Sequence, residues 1–238
     1  MDQTLKSKLF WITLFSIAMG FLEGAVVVYL RELYYPNGFQ FPLKAMSTNV
    51  SMTEIIREIS TIIMLLSIGF IASKKRNERF AWFIYSFAIW DIFYYVFLYL
   101  VLRWPDSLLT WDVLFLIPVM WIGPVVAPII LSILMIILSL LILYYENKYE
   151  NVLISKRQWG LILAGSLIAI ISFCEDFYEY ILLKIPNSTW LTVLSSGNIF
   201  KLAKKYIPNN FNWWLYLTGV NLILMGIVLF FFQNKTKN

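Results

Sequence analysis

The run GLILAGSLIAIISFCEDFYEYILL, residues 160–183, decides how the chain is read. Its first half has no charge at all, and its second half sets Glu175, Asp176 and Glu179 into surroundings apolar enough to cross a bilayer. About 20 apolar residues at 1.5 Å rise traverse roughly 30 Å of hydrocarbon, so length alone makes this a spanning helix. A carboxylate at that depth costs about 2.5–3.5 kcal/mol on insertion scales, so three of them belong against a partner or a wet hollow.

Working outward, the same apolar signature recurs along the 238 residues, which are 60% hydrophobic with a mean hydropathy of +0.73. No ordinary soluble domain has that composition. The chain is read as an all-α, polytopic integral membrane bundle, one transmembrane domain over 1–238. Its helices are expected at about 9–30, 54–72, 80–102, 113–145, 160–183 and 213–232. The fourth segment is too long for one crossing. Pro118, Pro124 and Pro128, with Gly123, are expected to break it into an interfacial or half-inserted piece from Thr110 to Trp121 and a true span. After a short basic lead, the run from Leu9 to Leu30 is about twice the usual length of a signal-peptide core and has no clear small-x-small cleavage site after it, so it is read as a retained first helix.

The formal charge of +5 is spread over short connections and forms no single stripe, which argues against nucleic acid. One cysteine and no histidine exclude an intramolecular disulfide framework, a Cys/His zinc site, a His-ligated haem and imidazole catalysis. Basic residues concentrate in SKKRNER, 73–79. With both termini placed in the cytoplasm, the larger share of the nineteen Lys and Arg residues falls on that side, as in a plasma (inner) membrane protein.

The acids are distributed the other way. Glu23, Glu54, Glu58, Asp91, Glu175, Asp176 and Glu179 all fall in the middle or outer half of the first, second, third and fifth helices. Glu32, Asp106 and Asp112 lie further out. Gly20 and Gly24 form a GxxxG step beside Glu23, a surface for close helix approach. Ser51 and Glu54 have capping-box spacing, while Asp91 shares a face with Tyr94 and Tyr95.

These residues define an expected acidic, arginine-rimmed pocket in the outer half. Glu175, Asp176, Glu179, Glu58 and Asp91 are its candidate acid–base groups. Arg31, Arg57, Arg103, Glu23, Glu54, Tyr94 and Tyr95 are its candidate substrate contacts. Glu58, Glu175, Asp176 and Glu179 are candidate ligands for Mg²⁺, Ca²⁺ or Mn²⁺, hard cations that favour oxygen. Crowded carboxylates without a metal would share protons, and one held neutral would serve as a general acid.

A site polar on one side only fits an enzyme or binding protein for a lipid-like, amphiphilic small molecule. The alternatives are a proton- or cation-coupled secondary transporter and a non-catalytic scaffold in which Glu/Arg pairs staple helices. Enzymatic activity is left open, because no nucleophile elbow or phosphate loop is present and the two acids beside Cys174 disfavour a thiolate. A further amphipathic piece, Asn198 to Tyr206, is expected to lie flat on the membrane.

Overall fold

A computed structural model describes residues 3–117, 119–149, 152–184 and 204–235. Six helices carry the fold: α1 Gln3–Tyr34, α2 Thr48–Ala72, α3 Arg76–Leu102, α4 Val126–Lys148, α5 Lys156–Lys184 and α6 Trp213–Lys235. All six are long and apolar enough to cross a membrane. Between α3 and α4 lies an antiparallel hairpin, β1 Trp111–Phe115 and β2 Trp121–Pro124.

The helices extend beyond their expected ends because polar first and last turns are invisible to an apolar count. In α2 the start moves by nearly two turns. Ser47 is the N-cap and its side chain accepts the Val50 N–H, so the Ser51/Glu54 capping box does not form. Glu54 is thereby free to pair within the helix interior.

The fourth segment departs most from expectation. It is not a kinked helix over 113–145; residues 111–115 and 121–124 pair as strands and α4 then runs uninterrupted from Val126. Pro128 sits in the first turn of α4, where the backbone N–H has no intrahelical acceptor to lose. Pro124 closes β2, and Pro118 lies outside the described residues. The N–H groups of Val125 and Val126 donate to the carbonyls of Thr110 and Leu108, which closes the base of the hairpin onto α4.

Packing runs α1 and α2 against α3, α3 against α4, and α4 and α5 against α6. Small residues make the closest approaches. A Cβ on Gly20 would come within 2.9 Å of the Trp90 carbonyl, and one on Gly165 within 2.6 Å of the Gly219 carbonyl. The GxxxG face of α1 therefore meets α3, and α5 meets α6 backbone to backbone.

One apolar core fills the end of the bundle that holds the termini, with Trp82, Leu138, Ile142, Ile162, Ile227 and Phe230 buried together. At its rim Lys75 and Asn77 bond Glu146, and Gln158 bonds Gln233. The opposite end is built differently, from the hairpin and the 35–47 connection. Gly38 adopts φ +93° in that connection, a turn conformation suited to glycine. Tyr35 then accepts the Lys44 N–H at 2.7 Å.

Candidate functional site

At the hairpin end, α1, α2, α3, α4 and the strands leave a partly open cavity of about 250 Å³. Its wall is mainly apolar and aromatic, yet Glu23, Arg31, Glu54, Arg57, Glu58, Asp91, Asp112, Lys44 and Lys204 all line it. Three polar groupings can be distinguished around the wall.

The first is the triad of Glu23, Glu54 and Arg57. Arg57 ion-pairs with Glu23 of α1, and its Nε and Nη2 donate to Glu54 Oε2 at 3.0 and 2.8 Å. Thr61 donates to the remaining oxygen of Glu23 at 3.2 Å. Glu54 and Arg57 stand one helical turn apart, and Glu23 reaches Arg57 from α1, which packs beside α2 on α3. Both carboxylates are mostly buried, so this pairing makes their burial tolerable.

The second centres on Asp112 of β1. It accepts from Arg31 Nη2 at 3.4 Å and from the Tyr95 hydroxyl at 3.3 Å, and its side chain is only 3% exposed. Burial raises its carboxyl from the ordinary range to about 6, against the pull of the Arg31 guanidinium, the Val113 N–H and the Tyr95 hydroxyl. The Arg31 guanidinium carbon lies over Trp104, 3.6 Å from the ring centroid, with the Phe39 centroid at 4.6 Å.

The third ties the strands and α4 to the bundle. Both oxygens of Glu58 accept the Leu116 N–H, at 2.9 and 3.0 Å, and Asp91 accepts from Ser132 at 2.8 Å. Around them Phe87, Trp90, Phe115 and Trp121 form a continuous ring-to-ring cluster.

The structure thus brings Glu23, Arg31, Glu54, Arg57, Glu58, Asp91, Tyr94 and Tyr95 to one cavity. It does not bring the acids of α5 there. Asp176 receives the Tyr206 hydroxyl and the N–H groups of Asn209 and Asn210, the latter two at 3.2 and 3.4 Å. Burial, and then the Asp176 carboxylate beside it, push the Tyr206 phenol above its ordinary range. Glu175 accepts from Asn212 at 2.9 Å, and Asn212 in turn caps α6 through the Leu215 N–H. These two acids hold the 204–212 connection, and Glu179 is exposed. From α5 the cavity takes Phe173.

Arg103 also stands elsewhere: it caps α3 in the left-handed conformation, lies 5.9 Å from the Tyr99 ring centroid, and lines a second hollow with Arg31, Glu32 and Asp106. Among the described residues no three of the Asp, Glu and Cys side chains gather as a metal ion would require. Cys174 is buried and unpaired by any disulfide. Most of the Asn198 to Tyr206 piece lies outside the described residues.

Asp112, Ser132, Trp104 and Lys44 belong to the cavity or its edge but are not among the sequence candidates. A signal for Asp112 was present. WDVLF and WIGP are short runs rich in aromatic and β-branched residues, separated by a stretch with a proline, and read as a hairpin once helix is set aside. Comparison of the chain with family models, with curated proteins and with solved structures finds no match.

Proposed function

We propose that this is an integral membrane protein whose outer-half cavity binds an amphiphilic molecule, with the polar groups at α1, α2 and β1 holding the head and the apolar wall accepting the chain. Both termini lie in the cytoplasm in this reading, so the cavity opens toward the outer side, and the charge bias of the 73–79 connection supports that orientation.

The observation that carries the reading is the union of two opposite characters in one hollow. Two arginines and five carboxylates come from α1, α2, α3 and β1, yet the wall between them is mostly Leu, Val, Met, Phe and Trp. Pockets for small molecules are typically apolar with a few convergent polar groups, and the lining here has that make-up. Helix stapling alone would not require open space beside the ion pairs.

The test is thermal stability of the purified chain in a neutral maltoside, after delipidation, with added amphiphiles. Wild type is expected to gain several degrees with at least one, because a ligand of the native state stabilises by mass action. Ser51→Trp, which fills the cavity from α2, is expected to keep its melting temperature and lose the gain. Equal gains in both proteins, or none in either, would leave the ion pairs as staples of a scaffold.

A further inference from the structure

The polar atoms of the cavity are not evenly satisfied. Each carboxylate there already accepts at least one hydrogen bond or ion pair: Glu23 and Glu54 from Arg57, Glu58 from Leu116, Asp91 from Ser132, Asp112 from Arg31 and Tyr95. The donors are a different matter. Arg31 Nη1, Trp90 Nε1 and Trp121 Nε1 are buried with no acceptor, and all three residues line the cavity. The one buried side-chain acceptor in the same condition among the described residues, Asn234 Oδ1, is at the far end of α6.

A buried N–H without an acceptor is costly, more so when it is charged, so three such donors on residues lining one cavity mark a place where acceptors come from outside the chain. Arg31 adds charge. Its side chain is 8% exposed, its Asp112 contact is long at 3.4 Å, and its guanidinium carbon rests over Trp104. A planar guanidinium so held presents its free edge to oxygen atoms in fixed directions.

We propose that the head taken by this cavity is an oxyanion, a phosphate or carboxylate carried on an apolar chain, bound by Arg31 Nη1 with the indole N–H groups of Trp90 and Trp121 as further donors. The proposal rests on the amphiphile reading and narrows it to one head chemistry. Of the five carboxylates, Glu23 and Glu54 share Arg57 and Asp112 meets Arg31, so part of their negative charge is balanced within the protein. Lys44 and Lys204, which also line the cavity, offset their charge further.

A series with one chain and different heads separates the possibilities: dodecyl phosphate, laurate, dodecanol and dodecyltrimethylammonium, with inorganic phosphate as the chainless control. Melting of the delipidated full chain in neutral maltoside is the readout. Dodecyl phosphate or laurate is expected to raise the midpoint by several degrees, with dodecanol, the ammonium and inorganic phosphate far behind. Arg31→Gln is expected to require about tenfold or more of the oxyanion for the same gain, as loss of a charged hydrogen bond implies.

Trp121→Phe keeps an aromatic side chain, smaller than indole, and deletes the N–H, so it tests the same point if Arg31→Gln fails to fold. A weaker response to the oxyanions with an unchanged response to dodecanol is expected. Equal gains from dodecanol and dodecyl phosphate overturn the oxyanion and leave the amphiphile reading standing. Inorganic phosphate as effective as dodecyl phosphate, or no gain from any chain, overturns both.

Discussion

Glu58 of α2 and Leu116, the residue after β1, are joined by a bifurcated hydrogen bond, the backbone N–H pointing between two carboxylate oxygens at 2.9 and 3.0 Å. That contact anchors the hairpin to a helix 58 residues earlier in the chain, and it holds the strand wall of the cavity in place.

Removing the anchor has a graded outcome. Glu58→Ala leaves a buried N–H without its acceptor and is expected to destabilise the chain by about 2 kcal/mol. Glu58→Gln keeps one acceptor oxygen and should lose less. Thermal melts together with limited proteolysis of the 111–124 segment will show whether the hairpin loosens first. Equal stability of all three proteins would remove Glu58 from this role.

The triad predicts an asymmetry between its members. Arg57→Leu strands two mostly buried carboxylates and is expected to cost about 3 kcal/mol, whereas Glu23→Gln leaves Arg57 paired with Glu54 and should cost about 1. The double variant Arg57→Leu with Glu23→Gln should recover part of the loss, because one stranded charge is gone. A double-mutant cycle on melting free energies checks this, and strict additivity would contradict it.

Asp176→Asn is expected to loosen the 204–212 connection without touching the cavity. The carboxylate oxygens that receive Tyr206, Asn209 and Asn210 become a mixed amide, so proteolytic cleavage in 204–212 should quicken. Ligand-induced stabilisation should stay at the wild-type value. Loss of that response instead would return the α5 acids to the binding site.

Asp112 gives the stability a pH dependence of definite sign. Its carboxyl titrates near 6 in the folded chain against 3.8 for the free group, so the folded state holds the proton more tightly. Its contribution is fully present below about pH 4 and is lost as pH rises through about 6, at most about 3 kcal/mol for a shift of this size. The melting difference between wild type and Asp112→Asn should therefore move against wild type from pH 4.5 to 7. A difference that stays flat, or moves the other way, would refute the assignment.

Much of the architecture was readable without coordinates. Twenty-odd apolar residues in a row have one low-energy solution in hydrocarbon, a helix that satisfies its own backbone, so six such runs announce six such helices. Charge at depth is equally legible, and it marked Glu23, Glu54, Glu58 and Asp91, which do share a cavity. The strands 111–115 and 121–124 were obscured because short apolar runs of either period look alike.

What the tertiary structure alone decided is which charges meet. Glu175 and Asp176 look in sequence like Glu54 and Glu58, acids near the end of an apolar helix, yet they serve the connection that follows α5. A helix repeats its faces every 3.6 residues, but which face turns toward which neighbour depends on contacts such as Gly20 on Trp90 and Gly165 on Gly219. Those contacts are set by complementary shape between segments distant in the chain. Residue-by-residue polarity cannot encode that shape, so membership of the cavity was fixed only when the helices packed.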